Sequence, residues 1–209
     1  MPLSTVLGAQ SLIKPGVCTT ATRPASPYTG QAIYDTTVSQ VLVYNGTAFA
    51  SVSGLVRIGG GTLSGSATTF SSIFSSTYDV YSVILSNVSA TSGDISLTLG
   101  STSTGYYYSG MGTIASSGAN AVVNGNNVSS WRIFTASSTA AGTTGSIVTL
   151  VNPNKATATT YSSFAPAPTA ASYNIALSGG LYDTTAYTAF TVNGTGMAGT
   201  VNIYGYSLS

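Results

Sequence analysis

From Tyr78 onward the chain is a succession of short apolar runs rich in Val, Ile and Tyr, separated by clusters of Gly, Ser, Asn and Pro. The runs are Val80–Leu85, Ile95–Leu99, Tyr106–Ser109, Thr113–Ala115, Trp131–Thr135, Ile147–Val151, Thr157–Phe164, Tyr173–Leu177, Tyr187–Val192 and Thr200–Tyr206. Breaks such as Asn124-Gly125-Asn126-Asn127 and Asn152-Pro153-Asn154 stand between them. Runs of this length, with no apolar repeat at helical spacing, predict β-strands. Many such strands at short intervals predict an all-β fold, a β-sandwich of jelly-roll type. The stretch Phe70–Leu85, FSSIFSSTYDVYSVIL, opens this domain, with a turn at Ser75-Ser76-Thr77 and polar positions at Asp79 and Ser82.

Ahead of that domain the pattern changes. Residues 1–22 carry little periodicity and hold Pro2, Gly8, Pro15 and Gly16, so they predict an extended arm. Ala32–Tyr34 and Gln40–Tyr44 predict paired strands, and Asn45-Gly46 predicts a hairpin into a third strand over Thr47–Val52. A meander this small buries little by itself and needs a partner surface. Gly54 and Gly59-Gly60-Gly61 mark the boundary, read as a linker or a bulge. Two parts follow: residues 1–54, an arm with a β-meander, and residues 55–209, the β-sandwich.

Charge narrows the function classes. Charged residues make up 4% of the 209, against about 25% in ordinary globular chains, and the formal net charge is +1. No basic stripe exists to track a phosphate backbone, so nucleic acid is not expected as a partner. No apolar stretch approaches the ~18 residues of a spanning helix, and no secretory leader is visible at the start. Membrane insertion is not expected. A surface of hydroxyls and amides leaves strand edges without the charges that usually guard them, which points to assembly with other copies or other proteins.

Chemistry is thinly supplied. The chain has no His and no Glu, one Cys (Cys18), and the acids Asp35, Asp79, Asp94 and Asp183. A Cys/His nucleophile cannot be built, and no cluster has metal-ligand spacing. The aspartates sit at strand ends and turns, where hydrogen bonding to the backbone is the ordinary role. The chain is therefore not expected to be an enzyme, and no cofactor or metal is expected. Tyr106-Tyr107-Tyr108 is the more informative set. On a strand Tyr107 faces opposite to Tyr106 and Tyr108, so the three divide between core or subunit interface and an exposed face able to stack on a glycan.

The segment RPASPYTGQAIYDTT (23–37) followed by VLVYNGTAF (41–49) resembles a motif of bacteriophage fibre and virion structural proteins. The stretch at 70–86 and the closing TAFTVNGTGMAGTVNIYGYSL resemble strands of β-sandwich domains in marine phage structural proteins. Thr37 stands where that motif commonly has Asp, and Phe49 where it commonly has Trp. The resemblance implies a non-enzymatic virion surface protein, assembled in a bacterial cytoplasm and often homotrimeric. It implies a capsid decoration or head-fibre protein whose N-terminal part contacts other virion proteins, with Arg23, Pro24, Pro27, Gly30 and Tyr34 as the attachment motif. The alternative is a tail fibre or tail-tip protein that binds a host surface glycan through its tyrosines.

Overall fold

The computed structural model describes residues 15–51, 54–135, 143–167, 169 and 172–206. The chain folds as two compact units that divide between Gly54 and Leu55. Of the expected arm, residues 1–14 lie outside the described residues, as does Val52 of the expected third strand.

The smaller unit is a four-stranded sheet in sequence order: β1 (Gly16–Cys18), β2 (Ala32–Asp35), β3 (Gln40–Tyr44) and β4 (Phe49–Ser51). β1 runs parallel to β2, and the remaining pairs are antiparallel. The end of the expected arm is thus an edge strand. At the β3–β4 turn the Asn45 side chain accepts the N–H groups of Thr47 and Ala48, both at 2.9 Å. Gly46 takes φ +101°, the left-handed value that makes Asn-Gly a turn signal. Ile33 and Leu42 pair across strands and are buried on one face. The β1–β2 connection, with a 3₁₀ turn at Thr20–Thr22, sends Thr20 and Arg23 to Asp35 on that face.

The larger unit is all-β. Its strands are β5 (Leu55–Phe70), β6 (Val80–Ser89), β7 (Ser92–Leu99), β8 (Tyr106–Ile114), β9 (Asn120–Val128), β10 (Trp131–Thr135), β11 (Thr144–Val151), β12 (Thr159–Ala165), β13 (Tyr173–Leu181) and β14 (Phe190–Tyr206). They form one sheet ordered β10-β7-β14-β6-β11-β12-β13-β8-β9, with β5 along the other side of β14. All of its pairings are antiparallel.

β14 explains how one sheet makes two layers. Its first part pairs with β7 and its second with β6, and its register shifts between Asn193 and Met197. Gly194 and Gly196 sit in that shift, Gly196 at φ +57°. A bulge bends and twists a strand. Here it carries the sheet round until β10 meets β12, β13 and β8 across the core, giving a barrel-like sandwich.

Period-2 alternation decides what fills that core. In β12, Thr159, Tyr161, Ser163 and Ala165 point inward and are buried, whereas Thr160, Ser162 and Phe164 point out. Trp131 is fully buried, stacked on Tyr161 with ring centroids 4.6 Å apart and edge-on to Tyr106 at 5.0 Å. A second aromatic cluster joins Phe70, Phe74, Tyr81 and Phe190. The Tyr81 hydroxyl donates to the Ser75 carbonyl and accepts the Ser75 N–H, so it pins the turn that precedes β6.

Several expected boundaries move. Tyr106–Ser109 and Thr113–Ile114 belong to one strand, β8, with Ala115 beyond its end, and the last two expected runs, from Phe190 onward, fuse into β14. Asn124–Asn127, expected as a break, lies inside β9. Of the two readings of Gly59-Gly60-Gly61 the bulge holds and the linker does not: the run is part of β5, next to a bulge at Ile58. A side chain at Gly60, where φ is +151°, would collide with the Val201 carbonyl. Glycine here lets two backbones approach, and that use resembles a linker in sequence.

Candidate functional site

In the small unit, most of the residues expected to form an attachment motif serve the sheet itself. Asp35 is fully buried, and Arg23 reaches its Oδ2 through Nε and Nη2, each at 2.7 Å. Thr20 Oγ1 donates to the same oxygen at 2.9 Å, and the Thr37 N–H donates to Oδ1 at 2.9 Å. Burial acts to raise the Asp35 pKa, but the Arg23 guanidinium, the Thr20 hydroxyl and the N–H groups of Thr37 and Val38 outweigh it. The carboxyl is held below its ordinary value and stays ionised.

Gly30, at φ +87°, turns the chain and donates its N–H to the Tyr44 carbonyl at 2.8 Å. Pro24 and Pro27 are half-buried in the same connection. Tyr34 alone of the motif residues points to the opposite face. It lies between Val17 and Val41 in direct register, and both valines are exposed. Sequence reasoning missed the Arg23–Asp35 pair. The available signal was that Asp35 is the sole acid in residues 1–54.

The tyrosine triplet divides as alternation requires. Tyr106 is fully buried, its hydroxyl accepting the Leu99 N–H at 2.7 Å and donating to the Thr102 carbonyl at 3.2 Å. It therefore makes no surface contact. Tyr108 is partly buried against the core. Tyr107 points outward and pairs with Tyr182, their ring centroids 5.6 Å apart and tilted by 52°. Tyr107 is 36% exposed and Tyr182 68%. The Tyr182 ring occupies the space over Gly180, where a Cβ would come within 3.0 Å of it. Tyr182 was not anticipated, because the pairing needs the β8–β13 register to be known.

The two tyrosines border a shallow pocket of about 260 Å³ with Ser109, Asn126 and Ser178. Ser109 and Ser178 also line an adjoining groove of about 440 Å³ that reaches Thr149, Ser162, Ile147 and Phe164. These side chains belong to successive rows across one outer face. One row holds Ser82, Thr149, Ser162, Ser178, Ser109 and Asn124 in direct register. The next holds Ile84, Ile147, Phe164, Ala176, Met111 and Val122, again in direct register.

Aspartates and cations are spent elsewhere. Asp94 pairs with Arg132 at 2.9 Å, and Asp79 with Lys155 at 2.9 Å. Asp183 accepts the Thr185 N–H and the Tyr187 hydroxyl. Burial pushes the phenols up, Tyr106 to about 12, with the nearby Tyr187 and Asp183 adding to the effect against the Leu99 N–H. Tyr161 is raised as well, chiefly by burial. Among the described residues no group of three or more His, Cys, Asp or Glu side chains comes together. The arrangement offers stacking, hydroxyl and amide contacts, and apolar area.

Comparison with protein-family models, with curated proteins and with solved structures finds no match to this chain.

Proposed function

We propose that the protein is a non-enzymatic structural component of a bacteriophage virion surface, of the capsid decoration or head-fibre kind, attached through residues 1–54. The observation that supports this best is the division of labour on the small sheet. One face is sealed by Ile33, Leu42 and the Arg23–Asp35 pair. The other presents Val17, Tyr34 and Val41 in one row. A three-stranded apolar row on a rigid support is a surface suited to burial against a partner protein, and it carries no charge. The motif is thus read as two sets: Arg23, Pro24, Pro27 and Gly30 shape the support, and Tyr34 makes the contact.

Cryo-electron microscopy of intact virions tests this. Density for the chain distributed over the shell is the expected result. Its absence from purified particles, checked by mass spectrometry, would reject the reading. Val41→Lys should leave the fold intact and lower the amount of protein recovered on particles.

One observation favours a second reading. The exposed Tyr107–Tyr182 pair, beside Asn126 and the Ser109 and Ser178 hydroxyls, has the chemistry of a neutral glycan site on a tail fibre. Density confined to the tail, together with loss of cell adsorption in Tyr182→Ala, is the result that reading requires.

A further inference from the structure

The outer face of β6, β11, β12, β13, β8 and β9 is unusual for a surface left in water. Its apolar row runs across six strands without interruption, from Ile84 through Ile147, Phe164, Ala176 and Met111 to Val122. Phe164 is 59% exposed, Met111 55%, Ile147 54% and Val122 79%. Isolated exposed apolar residues are normal on soluble proteins, whereas contiguous ones mark contact surfaces. Groups that ordinarily protect such a face are missing from it: none of these strands carries an ionisable side chain on this side apart from Tyr107. On the adjoining strand β14, Asn202 stands in register beside Ile84 and accepts the Arg57 Nε–H from β5 at 3.2 Å, which places the Arg57 charge beyond the end of the stripe.

We infer that this face is the surface through which copies of the chain associate with one another. Three features select a further copy as the occupant. First, a surface that meets itself brings identical groups together, so a charged face would repel its own copy; the six strands of this face carry no charged side chain on this side. Second, polar side chains border the apolar row along its length on one side and over β13, β8 and β9 on the other, while at the β11–β12 end Gly145 and Pro166 line a pocket with Ile84, Ile147 and Phe164. Ser82, Thr149, Ser162, Ser178, Ser109 and Asn124 lie on one side, and Asn174, Thr113 and Asn120 on the other. Over β13, β8 and β9 the stripe lies between like borders, and there it can meet its own image with apolar groups on apolar groups and polar groups on polar groups.

The third feature is size. Six strands about 4.8 Å apart and four rows about 6.8 Å apart outline roughly 500 Å² per copy, or about 1,000 Å² for a pair. That meets the threshold of about 1,000 Å² for a specific interface. Tyr107 lies two rows from the stripe, about 14 Å along β8, so the tyrosine pair stays at the rim. The association holds whether or not the protein is carried on a virion.

Light scattering on the full chain after size exclusion tests the inference. The expected mass is a whole multiple, two or more, of 21.0 kDa. Phe164→Lys and Met111→Lys each place a charge in the stripe on an outward side chain, and both should return the mass to a single chain with an unchanged circular dichroism spectrum. A wild-type mass of one chain at every soluble concentration overturns the inference, and so does an oligomer that survives both substitutions. Should a variant misfold, hydroxyl-radical footprinting of the wild-type oligomer decides the matter: Met111 must be shielded there relative to dilute protein. Shielding of Met111 in a single-chain species would instead show that another part of the same chain covers the face, and would also overturn the inference. Failure on any of these counts leaves the virion reading standing, since that rests on particle density and on residues 1–54.

Discussion

Removing one oxygen, in Tyr106→Phe, tests the account of how the larger unit is held together. The ring is fully buried and meets the edge of Trp131 at 5.0 Å, so phenylalanine keeps the packing and opens no cavity. What disappears is the acceptor of the Leu99 N–H at 2.7 Å and the donor to the Thr102 carbonyl at 3.2 Å. A buried N–H left without a partner costs about 1–3 kcal/mol. For a chain of this size each kcal/mol moves the melting temperature by about 2–4 °C, so a central loss of about 2 kcal/mol lowers Tm by about 4–8 °C. Differential scanning calorimetry at neutral pH reads this directly, with Tyr107→Phe on the outer face as a control expected to stay within about 0.5 kcal/mol.

Alkaline titration supplies an independent arm of the same test. The Tyr106 phenol is raised to about 12 in the folded chain, chiefly by burial. The neutral phenol therefore stabilises the fold fully below the unfolded value near pH 10, and that contribution is lost as pH rises through the folded value. One pH unit corresponds to about 1.4 kcal/mol per group, so roughly 3 kcal/mol goes between pH 10 and 12. Tyr106→Phe lacks this loss, and the gap between wild type and variant should close as the pH climbs. A variant that melts with the wild type at pH 7, or that keeps the full alkaline slope, would refute the reasoning.

Two other sites give sharp outcomes. Asp35 is held below its ordinary pKa, so its contribution to the small unit is present above the unfolded value near 4 and is lost as pH falls through the depressed folded value. Amide hydrogen exchange in β2 and β3, followed against pH, should lose protection in acid. Arg23→Ala should remove protection already at pH 7, because it leaves a buried carboxylate without its cation. In β5, Gly60→Ala puts a methyl against the Val201 carbonyl at φ +151°, whereas Gly65→Ala, at φ +66°, meets open space. Urea unfolding should show about 1 kcal/mol lost at Gly65 and more than that at Gly60; equal midpoints would contradict the close approach of β5 and β14.

The sequence made the all-β class legible because its cause is local. Strands such as β12 show inward Tyr161 and Ala165 alternating with outward Ser162 and Phe164, a period visible in the letters themselves. The Asn45-Gly46 turn was legible for the same reason, since the backbone conformation follows from two side chains. β5 and β9 were not legible. β5 is Gly-rich and β9 Asn-rich, which reads as turn or linker; at Gly60 and Gly125 the neighbour leaves no room for a side chain, and that crowding is a property of the partner strand. The candidate surfaces were half legible. Period 2 puts Tyr107 on the far side from Tyr106, but it cannot name Tyr182, which reaches it only through the Gly180–Tyr107 register. The apolar row across the outer face was beyond local reading altogether, because each of its members sits alone in its own segment and becomes part of a row when six strands align.

Most of the described charges are taken up within the fold. Arg23, Arg132 and Lys155 are held in pairs with Asp35, Asp94 and Asp79, so these charges fix loops and strand ends to the fold and leave little long-range field. Hydration of the outer faces then falls to the Ser, Thr and Asn side chains, which are short and lose little rotamer freedom when they are covered. Without charges to steer encounter, selection between partners must come from the shape and spacing of rows, which a rigid sheet fixes and a loop does not. On this chain the Val17–Tyr34–Val41 row and the Ile84–Val122 row are both of that kind, each in strict register on its own sheet. The two proposed contacts therefore rest on one row in each unit, and Val41→Lys and Phe164→Lys test them separately.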